Sequence, residues 1–282
     1  MDVTRETFNI ILRLLINHPW LKGGESLISM LYEECTCNET QKMVLEIINN
    51  FFYMSAEKFT ESLNNLALEI VTEPNIIDKN TQVVAMAADS RADSSQEVIY
   101  RLKSIFAELG WMGHECINTY SSAYRVFKRS GHNNIILVDD FVGSGQTVIG
   151  RCKDINTVFK NAGINDFSLK VKVLVSTREG IENITKEGIA ISAQHVIKKG
   201  IDDFYDPEKS NTYRSLMIAM EEILSKEYNG RPMPSLGYNN AQAAYCRESG
   251  NTPNSVFPIF WWPLKNNGTQ RQTMLHRSMA DA

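Results

Sequence analysis

Between residues 81 and 193 the sequence alternates short apolar runs with segments of helical periodicity. The apolar runs are rich in β-branched residues, as buried strands are, and they occupy 83–87, 135–138, 169–175 and 189–193, with a weaker run at 113–119. The intervening segments space apolar residues three or four positions apart, as at Val148, Cys152, Ile155 and Phe159. This alternation predicts an α/β fold: a parallel sheet with helices on both faces.

The sequence on either side of this region has other patterns. Before it, apolar stripes predict three amphipathic helices, at 8–15, 44–52 and 59–70. After it, one helix is predicted at 213–228, and the rest is rich in Asn, Pro and aromatic residues. We therefore predict three regions in chain order: a helical N-terminal region (1–78), an α/β domain (79–230), and a C-terminal extension (231–282) that packs on the core and ends in a polar tail.

Composition excludes several classes of protein. The 282 residues include 29 Lys+Arg and 33 Asp+Glu, and 43% are hydrophobic, which is typical of globular proteins and unlike disordered chains. The net charge of −4 does not favour nucleic acid as a partner, although it leaves one open. No apolar run reaches the roughly 18 residues of a membrane span, and the first residues do not resemble a secretory signal. We expect no membrane contact.

The five cysteines are an odd and sparse set, which favours reduced thiols over a disulfide framework and predicts a cytoplasmic protein. Cys35 with Cys37, and His114 with Cys116, lack the spacing of a zinc site. No residue is therefore assigned as a metal ligand.

The segment 135–147 combines three features that suit a ligand site. Its apolar strand is a rigid platform, and open α/β sheets bind ligands at the carboxyl ends of such strands. The acidic pair Asp139 and Asp140 suits ribose hydroxyls or Mg²⁺ better than phosphate. The loop that follows leads into a helix, whose N-terminal N–H groups and dipole favour a phosphate. The residues of this loop are Gly143, Ser144, Gly145, Gln146 and Thr147.

Two well-known phosphate loops do not fit this segment. A Walker A loop requires a lysine where Gln146 stands. The dinucleotide-binding fingerprint requires a third glycine where Val148 stands, and it has no acidic pair directly before the loop.

The segment resembles the phosphoribosyl-pyrophosphate (PRPP) signature of type I phosphoribosyltransferases: a buried strand, an acidic pair, two mostly apolar residues and a small Thr/Ser-Gly-x-Thr loop. Phe141 and Gly143 depart from the usual choices without removing a binding group. The resemblance implies that Asp139 and Asp140, as the catalytic pair, hold the ribose 2′- and 3′-hydroxyls, and that residues 143–147 bind the 5′-phosphate. It also implies Mg²⁺ bridging pyrophosphate and ribose oxygens.

The same family has a pyrophosphate loop after its first strand, which corresponds here to residues 88–95. The resemblance implies that Arg91 faces the pyrophosphate and that Ser94 and Ser95 are hydroxyl donors at the helix start. Asp89 and Ser90 complete this predicted set of substrate-binding residues. A plain strand-to-helix connection stays the alternative, because any polar connection has similar residues.

Further segments extend the resemblance to the phosphoribosyltransferase-like proteins of bacterial conflict (anti-phage) systems. They are 37–41, 51–53, 237–243 and 251–262. Proteins of that branch resemble effectors or accessory factors, which implies partners from a defence system. The resemblance does not identify the substrate, and it leaves a homo-oligomer open.

Two hypotheses about function follow. In the first, the chain is a glycosyltransferase of the pentosyl-transferring kind, in which a nitrogen nucleophile displaces pyrophosphate from PRPP. In the second, the fold serves as a non-catalytic nucleotide-sensing or complex-forming subunit. Trp261 and Trp262 are candidates for stacking on a base, with core packing as the more common role of such residues.

Overall fold

The computed structural model describes residues 5–21 and 24–279 of the chain. Contacts divide the chain into two compact units. One unit comprises Ala56–Ile197 and is called the sheet unit below. The other, called the terminal unit, comprises the chain up to Ser55 together with the chain from Lys198 onward. Within the described ranges, no helix is both long and apolar enough to cross a membrane.

Helices and strands alternate through the middle of the chain as predicted. The elements before the sheet are α1 (Arg5–Asn17), α2 (Glu25–Ser29), α3 (Asn38–Asn49), β1 (Phe52–Met54) and α4 (Ala56–Thr72). The next are β2 (Thr81–Ala85), α5 (Ser94–Glu108), β3 (Glu115–Ile117), α6 (Ala123–Ser130), β4 (Asn134–Val142), α7 (Gln146–Asn161), β5 (Ser168–Thr177), α8 (Arg178–Lys186) and β6 (Ala190–Ile197). The last are α9 (Pro207–Glu221), β7 (Glu227–Tyr228), β8 (Arg231–Pro232) and β9 (Tyr245–Arg247).

The sheet unit is built on five parallel strands in the order β3-β2-β4-β5-β6. Leu137 of β4 lies opposite Val84 of β2 and Val171 of β5, which sets the register. The predicted α/β fold class is therefore confirmed. Because β3 is added on one side of β2 and β4 on the other, the order of strands reverses between β2 and β4. This position is the topological switch point of the sheet.

One face of the sheet packs against α7. Val148, Cys152, Ile155 and Phe159 of that helix are each at most 4% exposed and join Leu137 in one apolar core. The apolar stripe predicted from the sequence is thus the buried face of α7, which anchors this helix firmly behind the loop that precedes it.

The opposite face of the sheet contacts α4 through charges. Lys172 alternates with Val171 and Val173 along β5, so it lies on the other face from the apolar core. Its Nζ lies 2.5 Å from Glu69 Oε1 and 2.7 Å from Glu73 Oε2, both on α4. Contacts therefore place α4 in the sheet unit, whereas the sequence pattern groups it with the N-terminal helices.

The terminal unit joins segments from both ends of the sequence. In it α3 packs against α9, and β1 pairs in parallel with β9, with Phe52 opposite Tyr245. The prediction that the second helix includes Phe52 is wrong, because α3 ends at Asn49 and Phe52 lies in β1. The partner strand comes far later in the sequence, so no local pattern indicates it.

The C-terminal part of the terminal unit is mostly irregular, as predicted. The helix predicted over 213–228 instead begins at Pro207 and ends at Glu221. Proline at the first position and the Asp206 side chain, which accepts the Lys209 N–H, start this helix early. Trp261 and Trp262 are 2% and 1% exposed, so they are core residues and offer no surface for a base.

Candidate functional site

Two strand–loop–helix segments meet at the switch point of the sheet. β2 leads through residues 86–93 into α5, and β4 leads through residues 143–145 into α7. Since β2 and β4 are parallel neighbours, both loops lie at the same carboxyl edge, where open α/β sheets bind their ligands. The two segments that the sequence indicated are therefore next to each other in the fold.

The acidic pair lies inside β4, which extends beyond the strand predicted from the sequence. β4 continues to Val142 because β5 runs beside it, with Ser176 opposite Val142. Asp140 is 7% exposed and Asp139 is partly buried. The N–H of Asp140 donates to Oδ1 of Asp139 at 2.8 Å.

Asp139 of β4 also interacts with a carboxylate of the loop before α5. Burial raises the pKa of Asp139 well above its ordinary value, and the carboxylates of Asp140 and Asp93 raise it further. The hydrogen bond from the Asp140 N–H lowers that pKa but is outweighed. A carboxylate in such a place is stabilised by a cation or by a hydroxyl donor. Asp93, in the loop before α5, was not among the predicted site residues.

The loop before α7 permits close approach of a ligand to the backbone. Gly145 precedes the helix with φ +81° and supplies no side chain to cap it. A Cβ at this position would stand 2.9 Å from the Gly180 carbonyl oxygen, so glycine is required. Ser144 is buried, and Gln146 and Thr147 are exposed in the first turn of α7. The first N–H groups of a helix have no intrahelical acceptor, and a phosphate suits them.

α8 engages the carbonyl groups of the same loop. Thr177 Oγ1 donates to the Gly143 carbonyl at 2.7 Å, and Asn183 Nδ2 donates to the Ser144 carbonyl at 3.1 Å. A Cβ on Gly180 would stand 2.2 Å from the Gly143 oxygen, so this approach also depends on glycine. Both carbonyl oxygens are thus paired with α8 or its cap rather than left to repel an anion.

Sequence reasoning missed these supporting residues. Thr177 carried a local signal, since a threonine before a helix is a common N-cap, and it does accept the Gly180 N–H at 2.9 Å. Its second contact, with Gly143, joins the ends of two neighbouring strands and has no signature in either segment alone.

The loop before α5 is closed by its own carboxylates. Oδ1 of Asp89 accepts the Arg91 N–H at 2.9 Å. Oδ1 of Asp93 accepts the Ser95 N–H at 2.9 Å and also the Ser95 hydroxyl. The buried Ser95 Oγ in turn accepts the Ala87 N–H at 3.1 Å. The Ser95 side chain therefore shapes the loop.

The other predicted residues of this loop lie at the surface. Ser90 and Arg91 are exposed, and Ser94 is half-buried at the first position of α5. The Arg91 guanidinium lies 3.7 Å from Asp89 with 78% of its side chain exposed, an ion pair of little net stability. Contact of this loop with pyrophosphate stays a prediction.

Hydrogen bonds fix the loop before α5 to the segment after β3. Gln96 Nε2 donates to the carbonyls of Asp89 and Asn118, at 3.1 and 3.2 Å. The Tyr120 N–H donates to the Ala87 carbonyl at 3.1 Å. The first half of this loop is therefore held at the Ala87 and Asp89 carbonyls.

The donor set at this edge suits Mg²⁺ only together with a ligand. Among the described residues, no group of three or more His, Cys, Asp or Glu could hold a metal by itself. Mg²⁺ usually keeps several waters and binds through one or two carboxylates plus phosphate oxygens. Asp139 and Asp140 offer such carboxylates, and a phosphorylated ligand would supply the rest.

Several solved structures are similar to this fold at low sequence identity. A hypothetical protein from Neisseria gonorrhoeae with bound ppGpp is 12% identical, with a TM-score of 0.37, over 60% of this chain and 97% of that one. Orotate phosphoribosyltransferase from Aeropyrum pernix is 13% identical, with a TM-score of 0.31, over 50% and 72%. The xanthine-guanine-hypoxanthine phosphoribosyltransferase of Helicobacter pylori is 12% identical, with a TM-score of 0.32, over 52% and 83%. At these TM-scores the similarities carry no conclusion about ligands.

The sequence itself gives a more specific result. No curated protein matches the chain. The sequence model of the PRTase-CE family matches residues 36–274, which include both loops, the acidic pair and most of the terminal unit.

Proposed function

The chain belongs to the PRTase-CE family, and on that premise we propose that it binds a ligand containing ribose 5-phosphate at the switch point between β2 and β4. One observation carries the proposal: β4, which holds the acidic pair, leads into α7 through Gly145, an N-cap residue that supplies no side-chain cap. The anionic phosphate and the hydroxyl-bearing ribose of such a ligand both have chemical complements there.

The phosphate would bind at the start of α7. Gly143 to Thr147 bring backbone N–H groups and the hydroxyl of Thr147 to this position. The apolar face of α7 is buried behind it, so the helix end is fixed before any ligand arrives. The dipole of a sixteen-residue helix adds to the attraction.

The ribose hydroxyls would bind at Asp139 and Asp140. A hydroxyl is a hydrogen-bond donor, and a carboxylate accepts without competing for the phosphate site. Mg²⁺, bound with the ligand through these carboxylates, would neutralise charge between the acidic pair and the phosphate oxygens.

Calorimetric titration of the full chain with ribose 5-phosphate tests this proposal. Binding should be lost in the double variant Asp139→Asn/Asp140→Asn. The variant Asp166→Asn/Glu57→Gln removes two carboxylates from exposed positions outside both loops, and it should bind normally. Equal binding by both variants would place the ligand elsewhere.

A transferase reaction on PRPP is the activity that the family resemblance suggests. A nitrogen nucleophile would form a bond to the anomeric carbon of PRPP. The bond between that carbon and the pyrophosphate oxygen would break at the same time, and pyrophosphate would leave. Incubation with PRPP, Mg²⁺ and a panel of bases should then release pyrophosphate. Absence of release with every base, together with ligand binding, would instead identify a nucleotide-sensing or complex-forming subunit.

The Asp93 carboxylate favours this second function, because it stands at the start of α5, where a pyrophosphate would otherwise bind.

We propose that the protein acts in cytoplasmic anti-phage defence, because the sequence resembles that branch of phosphoribosyltransferase-like proteins. In a host that carries the gene, Asp139→Asn should raise the plating efficiency of a restricted phage to that of a deletion strain. Full restriction by this variant would separate the site from defence.

A further inference from the structure

We infer that this site takes a ligand with a single phosphate group, such as ribose 5-phosphate or a nucleoside 5′-monophosphate, and has no second subsite for pyrophosphate. The inference rests on the proposed ribose-phosphate site and narrows its ligand class. It also opposes the prediction that the loop 88–95 binds pyrophosphate.

The two strand–loop–helix segments at the switch point differ in how their helices are capped. The N-cap residue of α7 is Gly145, which supplies no side chain to the first N–H groups of the helix. The N-cap residue of α5 is Asp93, whose carboxylate accepts the Ser95 N–H. In α5 a negatively charged oxygen of the protein already stands where an anionic ligand would bind a helix start.

Three further donors around this loop are engaged as well. The Ser95 hydroxyl has one proton, and it donates that proton to Asp93. The Arg91 N–H donates to Asp89, and the Ala87 N–H donates to Ser95 Oγ. A pyrophosphate would have to displace these internal acceptors one by one.

The charge of this edge has the wrong sign for pyrophosphate. Asp89, Asp93, Asp139 and Asp140 supply four carboxyl groups, and Arg91 supplies one exposed guanidinium that is paired with Asp89. The electrostatic effect of Asp93 and Asp140 on Asp139 shows that these acids are near each other. Adding several negative charges here is unfavourable, whereas one phosphate at α7 lies on the uncapped helix end.

A departing pyrophosphate would therefore meet the Asp93 carboxylate at the start of α5, where preorganised N–H groups would otherwise stabilise a leaving group. The structure accordingly suits ligand binding without pyrophosphate release. A nucleoside monophosphate is the ligand class that satisfies both the α7 end and the acidic pair.

Comparative calorimetry of the full chain tests this inference. Ribose 5-phosphate, AMP and PRPP are titrated separately, each with and without Mg²⁺. We expect PRPP to bind no more than about threefold tighter than ribose 5-phosphate, because the Asp93 carboxylate already occupies the start of α5. PRPP binding more than about tenfold tighter would overturn the single-phosphate inference while supporting the proposed function. No binding by any of the three would overturn both.

The variant Asp93→Asn tests whether the negative charge of Asp93 is what keeps the pyrophosphate group from binding. Asparagine is as good an N-cap as aspartate, so α5 should keep its start, which circular dichroism and thermal unfolding check. Loss of the charge should raise the affinity for PRPP relative to ribose 5-phosphate by about tenfold. Glu97→Gln removes the same charge from an exposed position in the first turn of α5 and should leave that ratio unchanged. An unchanged ratio in Asp93→Asn, or an equal rise in both variants, would contradict the assigned role of Asp93.

Discussion

Thr177 donates its hydroxyl proton to the Gly143 carbonyl at 2.7 Å and accepts the Gly180 N–H at 2.9 Å. One side chain at the end of β5 thus caps α8 and fixes the loop that leads into α7. The shape of the candidate phosphate loop therefore depends on β5 and α8 as well as on its own glycines.

Replacing Thr177 with valine should weaken both functions of that side chain. Thr177→Val removes an N-cap and leaves a carbonyl without its donor, which should lower the free energy of unfolding by about 2 kcal/mol. Affinity for ribose 5-phosphate should fall as the loop loosens. Urea unfolding and calorimetry measure the two effects. Thr157→Val, on the exposed face of α7 where the hydroxyl donates only to the Lys153 carbonyl, is the control and should change little.

Two glycine-to-alanine substitutions should act in opposite directions. In Gly180→Ala the new Cβ would meet the Gly143 oxygen at 2.2 Å, so the backbone must shift and stability should drop by about 1–3 kcal/mol. In Gly150→Ala, inside α7, nothing lies within 4 Å, and stability should rise by about 0.5–1 kcal/mol. Melting temperatures that move the same way would refute the close approach of α8 to the loop.

Asp139→Asn should stabilise the protein at neutral pH while weakening ligand binding. Its folded pKa is raised, so the folded state holds this proton more tightly than the unfolded state does. The stability of the native chain therefore falls as pH rises from about 4, the ordinary pKa of aspartate, through the raised value. Asparagine removes that part of the pH dependence. Urea unfolding of the native chain and of Asp139→Asn at pH 5 and pH 8 measures this pH dependence. A variant that is less stable than the native chain at pH 8 would count against the prediction.

Removing the buried charge of Lys172 should lower the free energy of unfolding more than removing the exposed charge of Lys153. Lys172→Met leaves the partly exposed carboxylates of Glu69 and Glu73 without that partner beside the sheet, at a cost of about 1–3 kcal/mol. Lys153→Met breaks an exposed pair with Glu187 and should cost less than about 1 kcal/mol. Chemical unfolding compares them. Similar losses would mean that the contact of α4 with the sheet does not depend on this charge.

The sequence predicted the sheet well because its strands are short buried runs of β-branched residues. The run at 135–138 marked β4, and the helical spacing after it marked α7. The full length of β4 was not predictable, since Asp139 and Asp140 are poor strand formers and join β4 only because β5 continues beside them.

The candidate site was predictable only where it is local. The acidic pair and the glycine loop lie within thirteen consecutive residues, so a pattern could indicate them. Gly180 and Asn183 act on that loop from α8, and Asp93 affects Asp139 from another loop. Such contacts arise from the parallel pairing of strands and have no trace in either segment alone.

Asp93 caps α5, whereas Gly145 supplies no side chain to α7. The hydrogen bonds at the two helix starts are therefore completed at different times. Asp93 satisfies the Ser95 amide as soon as the chain folds, so this amide should exchange slowly with deuterium in the free protein. Gly145 brings no side-chain acceptor to α7, so the exchange of the Gln146 and Thr147 amides should slow only when a ligand arrives. The ligand then completes the hydrogen bonds of one helix start instead of two, and a small ligand needs correspondingly few contacts to be held.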